Sequence, residues 1–166
     1  WTARLFDRGR KANARARSSA ADDAESEIRR LHRLLAINRR MAAEIEPERM
    51  PALILDSAIE LLDAERGFLG LAEPDRLVVP VARDFWKKDI PAPAFELSRS
   101  IAREVVRRGE PLLTDDASED VRLADNATVH DLKLRSVLCV PLRAQGKTLG
   151  ALYVDNRLAN GAFTEK

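Results

Sequence analysis

The sequence has little of what metal and redox sites require. It contains one cysteine and two histidines among 166 residues. A single cysteine excludes an internal disulfide and any metal site built from several thiolates, and two distant histidines offer little to zinc. We therefore expect no metal site, and a reducing compartment, the cytoplasm, as the location of the protein.

Long apolar runs and an excess of one charge are also missing. The apolar run Val137–Leu142 is far too short to cross a membrane, and the first residues lack the apolar core of a signal peptide. A net charge of +1 favours neither an acidic nor a basic partner. Because the chain begins with Trp1 rather than methionine, we expect it to be a fragment of a longer protein.

Basic side chains are concentrated at the start of the chain. The first 20 residues carry several arginines and one lysine against a single acid, Asp7, with alanine, glycine and serine between them. This composition predicts a solvated, flexible basic linker over residues 1–21. Contact with nucleic acid is the alternative, but no aromatic residues are interleaved with the charges.

A helix with an apolar seam is predicted over residues 22–46. Seam positions recur at spacings of three and four, with a polar Asn38 in the middle, as in coiled coils whose register is set by one polar residue. We expect a homodimer through this helix. The seam residues are Ile28, Leu31, Leu35, Asn38, Ala42 and Ile45. A second stripe of Leu34, Ile37 and Met41 leaves open that both stripes pack within one chain.

Helices and strands are mixed over residues 47–166. The patterns predict a helix, a hairpin, a helix near 98–108, a short strand, a short helix near 126–132 and a closing hairpin that turns at Gly146. This order indicates an α+β domain around an antiparallel sheet. Because both strand faces are apolar, we expect long helices on one face and short helices and loops over a ligand cavity on the other.

Several segments resemble, in the right order, the GAF domain, a sensor module of signalling proteins. LRSVLCVPLRAQGKTLGALYVDN is similar to the central hairpin of that family, and LLDAERGFLGL to the end of its second helix and its first strand. SRSIAREVVRRGEPLLTDDASEDVRL is similar to its middle helix and the strand that follows. The resemblance implies a regulatory domain, not an enzyme, that binds a small molecule or partner and controls an attached effector.

Two phrases point to a subtype. LLAINRRMAAEIEPERMPALILDSAIELLDAERGFL and LRSVLCVPL most resemble the sensor domain of bacterial sigma-54-type enhancer-binding transcription activators. This resemblance implies an ATPase and a DNA-binding domain in the same parent chain, and no direct nucleic-acid binding by the sensor itself. The sensory domain of a histidine kinase or a nucleotide cyclase is one alternative, and a ligand-free dimerisation module is another.

The candidate ligand-binding residues are those expected on the loosely covered sheet face. They are Phe68, Phe85, Val105, Asp120, Arg122, His130, Ser136 and Cys139. The ligand and any cofactor stay unknown. No cysteine precedes His130 for attachment of a covalent bilin, whereas binding of haem through His130 stays an alternative. The cyclic-nucleotide motif of the family is matched only in part, by Asn156, Arg157 and Phe163. Cys139 lies in mid-strand, which favours packing over nucleophilic catalysis. A methionine sulfoxide reductase of GAF fold, which needs more than one thiol, is the enzymatic alternative.

Overall fold

A computed structural model of the protein describes residues 2–44, 46–91, 98–117, 119–120, 123, 134–158 and 161–163, with side chains from residue 21 onward. The chain divides into two compact units, residues 1–43 and residues 44–166. Within the described residues, no helix is both long enough and apolar enough to cross a membrane.

The first unit is a single helix, α1, which runs over Thr2–Ala43. Its 42 residues give a length of about 63 Å at 1.5 Å per residue. The flexible linker predicted for residues 1–21 is therefore corrected, because the backbone is helical from Thr2 onward. The physical reason is composition: alanine, arginine and lysine are strong helix formers, and no proline interrupts the segment.

The second unit begins with two consecutive helical segments, each with a proline near its start. Pro47–Arg49 form a 3₁₀ turn, and α2 follows over Met50–Leu62. Pro51 lies in the first turn of α2, where its missing N–H has no intrahelical partner to lose. The helix ends at Asp63, whose φ of 52° is in the left-handed region. The break predicted at Pro47 thus separates the two long helices.

Five strands form one sheet in the order β2-β1-β5-β4-β3. Each neighbouring pair is antiparallel, and one further helix, α3, lies between β2 and β3 in the chain. The elements are β1 Arg66–Ala72, β2 Leu77–Asp84, α3 Ser98–Arg108, β3 Leu112–Thr114, β4 Ser136–Ala144 and β5 Lys147–Asn156. The α+β prediction with a central antiparallel sheet is confirmed. The short helix predicted near 126–132 lies outside the described residues.

The two faces of the sheet carry separate apolar cores. On one face, α2 contributes Leu55 and Ile59, both buried, to a cluster that includes Val154 of β5. On the other face, Ile101 and Val105 of α3 join a second cluster with the inward side chains of the strands. We call these the α2 face and the α3 face.

The β4–β5 hairpin turns where the sequence predicts. Gln145 and Gly146 both have positive φ values, 50° and 77°. Two successive residues of that kind form the turn whose twist matches that of paired strands, and glycine adopts the conformation without steric penalty. This turn sets the register that places Cys139 opposite Tyr153.

Candidate functional site

The candidate site is a cavity of about 320 Å³ beside α3. Its apolar lining comes from α3, from β3 and from the segment between β3 and β4. Its polar lining comes from the outer side of α3 and the turn that follows it. The apolar residues are Ile101, Val105, Pro111, Leu112 and Leu123, and the polar residues are Ser100, Glu104, Arg108 and Glu110.

Local sequence explains why the cavity forms where α3 turns into β3. Apolar residues at helical spacing turn one side of α3 to the sheet, and the helix stops at Gly109, whose φ is 68°. The Gly109 N–H donates to the Val105 carbonyl at 2.8 Å, which closes the last turn. Pro111 then redirects the chain into β3, leaving a space between helix and strand.

The polar rim of the cavity is ionic. The Glu104 carboxylate accepts hydrogen bonds from Arg107, at 2.6 Å and 2.8 Å, and from Arg108. These bonds lower the pKa of Glu104 to about 2, so the carboxylate is charged at neutral pH. Paired charges above an apolar floor can receive a small molecule with an apolar body and a polar end.

Beneath α3 the sheet carries aromatic and charged side chains that are fully buried. The rings of Phe68 and Tyr153 stack with centroids 4.8 Å apart. Two residues away on each of the same two strands, Arg66 Nε donates to Asp155 Oδ1 at 2.9 Å, and the two side chains are 7% and 0% exposed. Burial raises the pKa of Asp155, and the Arg66 guanidinium opposes that rise. The α3 face is thus apolar at its centre with one buried ion pair at its edge.

A second cavity, of about 290 Å³, lies at the β1–β2 turn. Two of its arginines already have partners, since Arg76 pairs with Glu73 at 2.8 Å and Arg107 with Glu104 at 2.6 Å. No residue of the predicted ligand site lines it. Because Val105 lines the cavity beside α3, that cavity is the stronger candidate.

Residues 46–166 match the family model of the GAF domain. The chain belongs to the GAF domain family. Solved structures with the same fold include a GAF domain from A. aeolicus in an inactive state (17% identity, TM-score 0.58, 81% of this chain and 83% of that one). The GAF domain of a putative sensor histidine kinase from Pseudomonas syringae pv. tomato is also similar (18%, 0.57, 89% and 80%).

An enzyme shares the fold as well. The free methionine-R-sulfoxide reductase from Neisseria meningitidis, solved in complex with its substrate, is similar at 18% identity and a TM-score of 0.56, over 75% of this chain and 71% of that one. At these identities the likeness shows the fold alone. Membership of the GAF family makes the chain a signalling sensor module.

Three of the residues predicted for the ligand site lie together on the α3 face of the GAF domain. Val105 lines the cavity. Phe68 and Cys139 are fully buried in the apolar cluster that also contains Leu123, a cavity residue. Cys139 is thus part of the packing beneath the cavity.

The other predicted residues lie elsewhere or outside the described residues. Phe85 is 45% exposed and packs edge-on against Trp86 after β2. Ser136 lies on the opposite face from Cys139, because strand side chains alternate. Its hydroxyl donates to the Asp115 carbonyl and accepts from the Ala162 N–H. The Asp120 carbonyl accepts from the Leu123 N–H, and Arg122 and His130 lie outside the described residues.

Sequence reasoning missed the polar residues of both the rim and the sheet. Glu104 and Arg108 had a usable signal, since opposite charges four apart on a helix form a pair. Arg66 and Asp155 also had one, because charged residues at inward strand positions require a buried partner. The sequence alone does not show that Arg66 and Asp155, which are 89 positions apart, are partners for each other.

The Cys139 thiol is expected to be inert in the folded protein. Burial raises its pKa from 9.0 to about 12, which lowers the thiolate fraction near neutral pH about a thousandfold. Ellman's reagent should therefore react with the native chain at least a thousandfold more slowly than with the unfolded chain. Labelling of the native chain at the unfolded rate would show that Cys139 is accessible and that its pKa is not raised.

The described residues offer no obvious metal centre. No group of three or more histidine, cysteine, aspartate or glutamate side chains among them could hold a metal ion. The arrangement beside α3 can bind and orient a small molecule.

Proposed function

We propose that this GAF domain is a regulatory sensor, not an enzyme, and that it binds a small amphipathic molecule in the cavity beside α3. The cavity itself carries the proposal: about 320 Å³ with an apolar floor and a charged rim. A space of that size suits a small metabolite. The buried Cys139 thiol, whose pKa is raised to about 12, supports a binding role rather than catalysis.

Binding would act by shifting a population between conformations. Ile101 and Val105 belong both to the cavity lining and to the core on the α3 face. A ligand that contacts them favours one position of α3 on the sheet over another, and this preference is passed to the attached effector. The ligand needs only a few kcal/mol of differential affinity to do so.

A screen for ligands tests the sensor proposal. A panel of small amphipathic metabolites should include members that raise the melting temperature of the chain, and Ser100→Trp, which fills the cavity from its rim, should weaken their binding at least tenfold. The matched control is Arg103→Trp on the same helix, which does not line this cavity. Equal weakening by both variants, or no stabilising member, would support the ligand-free dimerisation module instead.

We propose further that α1 forms a homodimer. Ile28, Leu31 and Leu35 of the predicted seam are 52%, 49% and 54% exposed on this helix. Ala42 and Asn38 continue the seam, and Ile45 lies outside the described residues. Three large apolar side chains on one stripe need a partner. In a dimer they pack against the same stripe of a second copy, and Asn38 lies opposite Asn38, as in coiled coils whose register is set by one polar residue.

The mass in solution tests the dimer. Light scattering should give twice the chain mass for the unmodified protein and a single chain mass for Leu31→Lys combined with Leu35→Lys, because lysines in the seam repel across it. The control places charge changes outside the seam, in Arg30→Glu with Arg33→Glu. An unchanged mass for the seam variant would contradict the proposal.

More specifically, we propose that the attached effector belongs to a sigma-54-type enhancer-binding activator in the bacterial cytoplasm. The phrases around Leu34–Leu69 and Leu134–Leu142 support it by resemblance. A sensor histidine kinase is the second candidate, favoured by the structural likeness to the Pseudomonas syringae domain. Sequencing the parent gene beyond Lys166 decides between an ATPase with a helix-turn-helix and a kinase core.

A further inference from the structure

The short strand β3 has one side toward the cavity and the other toward the opposite core. Leu112 lines the cavity beside α3 and packs against the apolar cluster of the α3 face. The next residue, Leu113, packs against the cluster of the α2 face, which also contains Phe163. Successive side chains of a strand point to opposite faces of the sheet. A displacement of β3 on the cavity side therefore also displaces a side chain on the α2 face.

Hydrogen bonds tie the residue after β3 to segment 161–163. The Asp115 carbonyl accepts from Ser136 Oγ at 3.2 Å and from the Gly161 N–H at 2.9 Å. Ser136 Oγ in turn accepts from the Ala162 N–H at 3.0 Å. The Ser136 side chain is 0% exposed. One buried hydroxyl thus donates to the chain that leaves β3 and accepts from segment 161–163.

Strand β3 is the part of the sheet that is easiest to displace. It has three residues, whereas the other strands have seven to ten. It lies at the edge of the described sheet, where β4 is its neighbour. Elements with few contacts open at a lower free energy than the core of a domain. A short edge strand next to a cavity can therefore take two positions, and a ligand can favour one of them.

We propose that Ser136 is a positioning residue that couples the cavity beside α3 to segment 161–163. A ligand that packs against Leu112 favours one position of β3, and the Asp115 carbonyl and the Ser136 hydroxyl pass this preference to the segment. This inference rests on the proposed sensor function and adds the route by which occupation of the cavity reaches the other face of the sheet. Coupling between two sites is reciprocal, so the hold on the segment also affects the affinity of the cavity.

Leu112→Ala in the full chain tests the coupling without a ligand. The variant removes the cavity wall that β3 supplies and leaves the hydrogen-bonding groups of segment 161–163 unchanged. Hydrogen–deuterium exchange of the Gly161 and Ala162 amides, followed by NMR, should accelerate about fivefold or more relative to the Ala64 amide. The Ala64 N–H donates to the Ile59 carbonyl at 3.1 Å and reports on the α2 face away from β3.

Val106→Ala is the matched control. Val106 is a partly buried residue of α3 that packs against the same apolar cluster as Leu112. It lines the cavity at the β1–β2 turn and not the cavity beside α3. This variant should leave the exchange of Gly161 unchanged relative to Ala64. Equal acceleration by Val106→Ala and Leu112→Ala would show a general loss of packing and would overturn the proposal.

A double-mutant cycle tests the role of Ser136. In Ser136→Ala the link to the Ala162 N–H is gone, so adding Leu112→Ala should accelerate exchange of Gly161 by less than about twofold. Ser136→Cys fills nearly the same space with a weak donor and acceptor, and should reduce the coupling in the same way. Additive effects of the changes at Leu112 and Ser136 would show that Ser136 only stabilises the fold, and would overturn its role.

The coupling and the sensor function can fail separately. Faster exchange of Gly161 in Leu112→Ala, together with a metabolite panel that has no stabilising member, would support the coupling and contradict the sensor. Stabilising members in the panel, together with equal exchange in Leu112→Ala and Val106→Ala, would support the sensor and overturn the coupling.

Discussion

Replacing Arg66 with alanine is expected to lower the free energy of unfolding by about 3–5 kcal/mol. The Asp155 carboxylate is 0% exposed, and its bond from Arg66 Nε at 2.9 Å is the only ion pair of Asp155 within the described residues. Removing the guanidinium leaves a buried charge without compensation, which is far more destabilising than losing an exposed pair. Urea denaturation of the variant beside the unmodified chain measures the difference.

The pH dependence of that loss has a definite sign. Burial raises the pKa of Asp155 above its unfolded value of 3.8, so the folded chain binds a proton more readily than the unfolded chain. The contribution of this group to stability is full below pH 3.8 and is lost as the pH rises through its folded pKa. Without Arg66 the folded pKa rises further. The loss in Arg66→Ala should therefore be largest near neutral pH and shrink as the solution is acidified.

The exposed Arg107 provides a matched comparison for the buried Arg66. Arg107→Ala removes a pair whose side chains are 69% and 41% exposed, and no measurable change in stability is expected. Combining Arg66→Met with Asp155→Leu should recover most of the stability lost in Arg66→Ala, because no isolated charge remains. Losses of equal size for Arg66→Ala and Arg107→Ala would show that burial does not govern the pair.

Gly150→Ala is expected to destabilise the sheet by about 3 kcal/mol. A Cβ at this position would overlap the carbonyl oxygen of Gly70 and lie 3.1 Å from the Leu71 Cα. Both obstacles are backbone atoms of β1, the strand paired with β5 at the centre of the sheet. Backbone in a central strand cannot move aside as a side chain does, so the strands must separate or the register must change. Thermal and urea unfolding of the variant test this.

Gly146→Ala is the control for Gly150→Ala. Nothing lies within 4 Å of a Cβ at Gly146, but its φ of 77° is unfavourable for alanine. The expected loss is about 1 kcal/mol, from backbone strain alone. Similar losses at the two positions would contradict the close approach of β1 and β5 as the reason for Gly150.

Local sequence patterns are sufficient to predict most of the helices, strands and turns of the fold. The α3 helix and the hairpin turn at Gly146 each depend on residues that are close together in the sequence, and each is predicted where it lies. The order of these elements is enough to indicate an antiparallel α+β domain. In residues 2–21 the charge density predicts a linker, whereas the backbone is helical, as the helix propensity of alanine and arginine favours.

The candidate site depended on tertiary structure. Alternation along β4 separates Ser136 from Cys139, yet only the packing of α3 shows which face holds the cavity. Arg66 and Asp155 meet through strand register, and Ser98 reaches Tyr153 through helix packing across 55 positions of chain. By itself the sequence determined helices, strands and turns, because these follow from contacts between near neighbours. The partners across the sheet were decided by the tertiary structure, since a one-residue change of register would exchange them all.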